Sequence, residues 1–194
     1  MTAIPLVLAS SSPFRKELLS RLHLPFDTRS PDIDETLGDG ESAVDYVRRL
    51  ARQKAAAVAK EHPQAVVIGS DQCALLDGDV LGKPGGPERA LEQLRRAQGK
   101  EVLFLTGLCV LRPQTGFEQV DCIEFRVGFR ERSDEQLRRY LEVEQPWGCA
   151  GSFKSEGYGI ALFRYLRGDD PTALVGLPLI RLTEMLESAG IAVV

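Results

Sequence analysis

Residues Glu101 to Arg112 and Phe117 to Phe129 read as two long strands flanking the turn PQTG. Joined this closely they can pair only antiparallel, because a parallel pair needs a crossover of a dozen or more residues. The rest of the chain alternates short strands with helices, the pattern of an α/β fold. A long antiparallel hairpin inside such a chain excludes a purely parallel doubly wound sheet. The expectation is therefore an α/β fold with a mixed twisted sheet flanked by helices.

The remaining elements follow from local signals. Ile4 to Ala9 is an apolar strand, followed by a helix from Pro13 to about Leu22 with Ser12 as N-cap. Residues 31–42, PDIDETLGDGES, form an acidic loop ahead of a helix from about Ser42 to Lys60. Ala65 to Gly69 is a short apolar strand, and ALLDGDVLG is a hairpin turning at Asp77-Gly78. Helices are expected over Pro87 to Ala97, Ser133 to Val143 and Pro178 to Ser188. Gly99 and Gly190 follow the first and last of these, and Ser133 with Gln136 fits a capping box in the second. A Gly-rich stretch, CAGSFKSEGYGIALF, precedes the last helix. With no repeat, low-complexity segment or long linker, residues 1–194 read as a single domain.

Composition narrows the function classes. The net charge of -4 disfavours a general nucleic-acid-binding surface, although a local basic pocket is compatible with it. No apolar run is long enough to span a bilayer, and MTAIPLVLAS reads as a buried strand rather than a secretory signal. Four unpaired-looking cysteines and only two histidines argue against a zinc site and for reduced thiols in a cytoplasmic protein.

Several residues are out of place unless they meet a ligand. Arg15 and Lys16 occupy the first turn of a helix, where the dipole disfavours cations by roughly 0.3–1 kcal/mol each. Bound anion would compensate, and a helix start with free N–H groups suits phosphate. Lys54 falls on the face that Val47, Ala51 and Val58 share, so it must either reach out of the core or meet an anion. The alanines at 55–57 leave room there for a cleft. In AVVIGSDQC the apolar strand ends in Gly69-Ser70-Asp71-Gln72, placing Asp71 where α/β sheets bind ligands. Asp32, Asp34 and Glu35 lie in the acidic loop; carboxylates beside a phosphate site imply a divalent cation, and Mg²⁺ takes one or two of them together with phosphates and waters, although Asp32 and Asp34 read as solvated loop residues. Lys83 sits in the tight loop LGKPGG, and Glu156 in the Gly-rich stretch could accept hydrogen bonds from a base edge.

The stretches LASSSPFRKELL, PDIDE, RLARQKA, VIGSDQ, LGKP and TGL, in this order, resemble the Maf family of nucleotide pyrophosphatases. CAGSFKSEGYGI followed by LVGLPL extends the resemblance over nearly the whole chain. The resemblance implies an α/β fold of two lobes around a cleft, a homodimer, and hydrolysis of nucleoside triphosphates to monophosphate and diphosphate with a divalent metal, Mg²⁺ or Mn²⁺. It implies Asp71 as the base that activates water, and Ser10, Arg15, Lys54 and Lys83 as the groups holding the triphosphate. Glu35, with Asp71, is implied to help bind the metal.

The family divides by substrate. Members acting on dTTP and UTP typically carry Arg, Thr and Gln where this chain has Phe14, Gln72 and Glu156. These three residues resemble instead the members that hydrolyse 7-methyl-GTP, among which Trp is frequent at the position of Phe14. The substitution has a physical reason: N7-methylguanine carries a positive ring charge that an aromatic face attracts by roughly 0.5–2 kcal/mol. Glu156 could accept from the guanine N1–H and N2–H₂. The competing expectations are a dTTP/UTP pyrophosphatase and a non-catalytic nucleotide-binding regulator of cell division.

Overall fold

A computed structural model describes residues 4–194; the first three residues of MTAIPLVLAS lie outside it. Twelve regular elements follow one another: β1 (Leu6–Ala9), α1 (Pro13–Ser20), β2 (Asp27–Arg29), α2 (Ala43–Ala59), β3 (Val66–Leu76), β4 (Asp79–Leu81), α3 (Pro87–Ala97), β5 (Glu101–Arg112), β6 (Phe117–Phe129), α4 (Asp134–Glu144), β7 (Phe163–Arg167) and α5 (Leu179–Ser188). The sheet is mixed, as the hairpin requires. Its order is β2-β1-β3-β5-β6-β7, with β4 on β3. β1 is parallel to β2 and β3; all other pairings are antiparallel.

The β5–β6 hairpin and the helix boundaries match the sequence reading to within a few residues, because caps and turn residues mark them. Ser12, Ser42 and Ser133 each accept from the backbone N–H three residues on, and Gln136 completes the box with Ser133. Asp77 and Gly78 both have positive φ, 55° and 90°, the requirement of a two-residue hairpin turn. β2 and β7 have no counterpart in the sequence reading. They are short edge strands with mostly exposed side chains, and their pairing partners, not their own patterns, make them strands.

The main departure is β3. The sequence reading ends this strand at Gly69, where apolar residues give way to Ser70-Asp71-Gln72. The strand instead continues to Leu76, because β5 supplies an unbroken antiparallel ladder from Val67↔Leu111 to Leu75↔Leu103. A ladder needs only N–H and C=O groups, which polar residues also possess. On its other edge β3 pairs with β1 only as far as Gly69, and with β4 only from Ala74. Residues 70–73 therefore lie between two partners on that edge.

Two cores flank this gap. At one end of the long strands α1 and α5 pack Leu18, Leu19, Leu182 and Met185 onto Ile68, Leu108 and Val110. At the other, α3 and α4 pack Leu91, Leu94, Leu137 and Leu141 onto Ala74, Phe104 and Val127. Helix α2 covers the opposite face, setting Ala51, Ala55 and Val58 against Val67 and Cys109. The two lobes implied by the resemblance are these two cores, with β3, β5 and β6 running through both. Among the described residues no helix is long and apolar enough to cross a membrane.

Asp170, only 3% exposed, ties the segment ahead of α5 to the core. Its Oδ1 accepts from the Thr172 amide and hydroxyl, and its Oδ2 from the Ile180 amide. Asp170→Ala leaves these donors unpaired and is expected to destabilise the protein by about 2–3 kcal/mol. A urea midpoint unchanged from wild type would count against this capping role.

Candidate active site

A cavity of about 670 Å³ opens at the gap in β3. It is lined by Ser10, Phe14, Arg15, Glu35, Lys54, Asp71, Gln72, Lys83 and Glu156, so every residue that the resemblance assigns to the site reaches it, while Lys16, Asp32 and Asp34 do not line it. They arrive from six separate segments of chain. Strand alternation sorts the β3 residues: Asp71 faces α2, while Ser70 and Gln72 face the turn before α5.

At the centre Lys54, 6% exposed, donates from Nζ to Asp71 Oδ1 at 2.6 Å, and lies 2.7 Å from Glu35 Oε1. Asp71 is itself 8% exposed. The misplaced lysine of α2 thus meets two anions. The alanines around it do different work from that expected. Ala51 and Ala55 fill no ligand cleft; they let α2 approach the sheet so closely that a Cβ on Gly69 would lie 2.1 Å from the Ala51 carbonyl oxygen.

Burial works against ionisation of Glu35, but the Lys54 hydrogen bond and the charges of Lys54, Lys83 and Arg15 prevail and hold its carboxyl below the usual range. The loop carrying it is strapped to α2. Tyr46 donates from its hydroxyl to the Glu35 carbonyl at 3.0 Å, and Arg49 donates to both Glu41 oxygens at 2.6 and 2.7 Å and to the Thr36 carbonyl. The Arg49 hydrogen bonds, then the Gly38 amide, draw the Glu41 carboxyl down to about 2. A depressed carboxyl contributes stability above its unfolded value, about 4.3, and loses it as pH falls through the folded value. The Glu41 carboxyl is expected to titrate near 2 by NMR, with the strap releasing only there; a midpoint near 4 would contradict the clamp.

Arg15 and Ser10 line the cavity from the α1 side. The Arg15 Nε donates to the Gly176 carbonyl at 2.8 Å and Nη1 to Ser10 Oγ at 3.4 Å. Burial lowers its pKa, while Asp71 and Glu35 oppose the shift. The cation at the helix start is therefore offset within the protein by a carbonyl and two carboxylates. Lys16 is simply exposed. Gly176, in the left-handed region at φ 106°, also accepts from Ser70 Oγ at 3.0 Å, so one carbonyl joins α1, β3 and the turn before α5.

Phe14 and Gln72 adjoin this corner. Gln72 Nε2 donates to Thr106 Oγ1, Ala173 O and Leu174 O, which commits its amide to the protein and leaves Oε1 as its remaining acceptor. Across the cavity, Phe153 packs edge-on against Phe104, Phe129 and Phe163 and anchors the Gly-rich loop. Lys154 donates its Nζ to the Glu144 carbonyl and its amide to the Tyr140 hydroxyl. Glu156 is exposed at the tip. Gln93 of α3 steadies the Lys83 loop through the Gly82 carbonyl.

Tyr46, Ser70 and Gly176 escaped the sequence reading. Tyr46 was accessible to it, lying eight residues before Lys54 and hence on the same helix face. Cys73 and Cys149 also line the cavity. Burial pushes the Cys73 thiol up to about 12, with Asp71 adding to the shift, and burial likewise raises Cys149. Neither is a thiolate nucleophile at neutral pH. All four cysteines are free, with Cys73 and Cys109 buried and Cys122 and Cys149 half-buried.

Asp71 Oδ1 and Glu35 Oε1 both reach one nitrogen within 2.7 Å. With Lys54 moved aside, these two oxygens are the acidic donors that would hold a divalent cation, since Mg²⁺ takes one or two carboxylates together with phosphates and waters. Among the described residues no cluster of three or more histidine, cysteine or acidic side chains offers a complete metal cage. The donor set thus fits a cation that shares its shell with substrate and water, and not one caged by protein.

Relatives match this chain over nearly their full length. Residues 5–189 match the Maf family, described as Maf-like protein. A Pseudomonas aeruginosa protein named 7-methyl-GTP pyrophosphatase is 57% identical over 188 residues, covering 97% of this chain and 98% of its own. Proteins of the same name from Pseudomonas putida and Alcanivorax borkumensis are 58% and 55% identical, covering 98% and 96% of this chain and 99% and 94% of theirs. With the family match spanning the elements that build the cavity, the chain belongs to the Maf family.

Proposed function

We propose that this protein hydrolyses 7-methyl-GTP to 7-methyl-GMP and diphosphate. The observation that carries the reading is the shared cavity: a carboxylate–lysine–carboxylate centre opposite Arg15 and Lys83, with Phe14, Gln72 and Glu156 on the same walls. The name of the relatives supports the substrate.

The triphosphate lies against Ser10, Arg15, Lys54 and Lys83, and the positive charges of Arg15, Lys54 and Lys83 stabilise the departing diphosphate. Water attacks the phosphorus nearest the nucleoside. Asp71 takes the proton from that water; its Oδ2 carries no hydrogen bond among the described residues and is free for the task. Glu35 and Asp71 would hold a divalent cation, which when bound supplies further positive charge at the phosphates. Burial and the charges of Asp71 and Glu35 push the Tyr46 phenol up, so it stays a donor to the Glu35 backbone throughout.

The base is read between the walls that carry Phe14 and Glu156. The cationic methylguanine ring stacks on Phe14 and its N1–H and N2–H₂ donate to Glu156. Phe14→Arg places like charge against that ring and is expected to slow 7-methyl-GTP hydrolysis by about tenfold or more, with UTP hydrolysis much less affected. Equal losses on both substrates would remove the stacking role.

The test of the whole reading is product analysis on GTP, 7-methyl-GTP, UTP, dTTP and CTP with Mg²⁺. Preferential release of 7-methyl-GMP and diphosphate is expected. A preference for UTP or dTTP would replace the substrate and keep the chemistry. Folded protein that binds nucleotide without turnover would instead make it a regulator.

A further inference from the structure

Lys54 is tied on two sides by carboxylates that come from different places. Asp71 belongs to the rigid middle of β3. Glu35 reaches the same nitrogen from a loop that Tyr46 and Arg49 hold against α2. An ordinary buried lysine needs one counter-charge, and a half-exposed second carboxylate adds little stability. Here a strap of several hydrogen bonds delivers that second carboxylate to the cavity. The result is two acidic oxygens focused on one point, occupied by a compact cation on a flexible four-carbon stem. This point is where the proposed divalent cation would sit.

We infer that Lys54 is an exchangeable occupant of the cation position. It holds Asp71 and Glu35 together before substrate arrives, and gives up both oxygens when nucleotide and divalent cation bind together. Its charge then turns to the phosphates, which replace the lost carboxylates as its partner. Two consequences follow. Nucleotide-free protein binds divalent cations weakly, because the cation must displace a buried ion pair. Nucleotide and cation each strengthen the binding of the other, because only the phosphates can re-partner the displaced ammonium. The inference rests on the metal-assisted reading above and assigns Lys54 a second task within it.

The test is Mn²⁺ binding to nucleotide-free protein, read from the electron paramagnetic resonance signal of the free ion. Lys54→Met removes the resident cation and leaves two converging carboxylates unpaired. It is expected to bind Mn²⁺ about tenfold or more tightly than wild type, and adding Asp71→Asn should abolish the gain. Mn²⁺ should also raise the Tm of Lys54→Met while barely moving that of wild type. A single variant that binds Mn²⁺ no more tightly than wild type overturns the exchange. Should the variant fail to fold, the wild-type protein decides the matter through the ¹⁵N signal of the Lys54 ammonium. That signal should move when a non-hydrolysable nucleotide and Mg²⁺ are added together, and stay in place with Mg²⁺ alone; a signal unmoved by both together overturns the proposal. Failure of the metal reading itself looks different. Wild type would then bind no Mn²⁺ even with the nucleotide analogue, and hydrolysis would persist in chelator.

Discussion

Asp71→Asn is expected to lower turnover by about three orders of magnitude while leaving the protein folded. The substitution is nearly isosteric, and the asparagine carbonyl can still accept from Lys54 Nζ at the present 2.6 Å. What disappears is the capacity to take a proton from water. Lys54 keeps Glu35 as a counter-charge, so no buried cation is left unpaired. The loss should fall mainly on kcat, with a smaller rise in KM because Asp71 is also one of the two carboxylates proposed for the divalent cation. Near-wild-type turnover by a folded Asp71→Asn protein would take Asp71 out of the base role. The measurement is steady-state hydrolysis alongside a circular dichroism melt of the same preparation.

The second large effect is architectural. Gly69→Ala places a Cβ 2.1 Å from the Ala51 carbonyl oxygen and 2.8 Å from the Ala55 amide nitrogen. Both are backbone atoms of α2 and cannot rotate aside, so the helix has to lift off the sheet. Overpacking of this kind costs about 3 kcal/mol or more. A Cβ on Gly107, beside α2 on β5, would likewise lie 2.1 Å from the Val47 carbonyl oxygen, so the neighbouring contact offers no slack. Activity should fall further than stability. Lys54 rides on α2 and Asp71 on β3, and their contact depends on how closely these two elements approach. A Gly69→Ala protein with unchanged urea midpoint and full activity would show that the helix can move without disturbing the site.

The same contact shows why part of the site was legible in the sequence and part was not. Arg15 and Lys54 stood out because each breaks a local rule: a cation at a helix start, and a charge on an apolar face. Both reach the cavity. Their partners could not be read, since Gly176 lies 161 residues from Arg15 and Asp71 lies 17 from Lys54 on another element. Gln72 was noticed for its resemblance, yet its bonds to Ala173 and Leu174 depend on a turn about a hundred residues away. The alanines near Lys54 signal small side chains, but whether a ligand or a sheet fills the space they leave is a matter of packing.

The sequence by itself determined the helices, their caps, the two hairpins and the mixed character of the sheet, and it marked Arg15 and Lys54 as cations in need of a partner. Those depend on neighbours a few positions away: a capping serine, a turn glycine, a period of 2 or 3.6. Tertiary structure alone decided three things. It extended β3 through Ser70, Asp71 and Gln72, because β5 completes their backbone hydrogen bonds. It made strands of β2 and β7 by pairing them at the edges. It also opened the cavity where the pairing of β1 with β3 stops at Gly69 and that of β4 has not yet begun, which sets Asp71 between two cores. Hydrogen bonds and burial supplied by distant segments outweigh local preference at such places, and that is where the protein keeps its site.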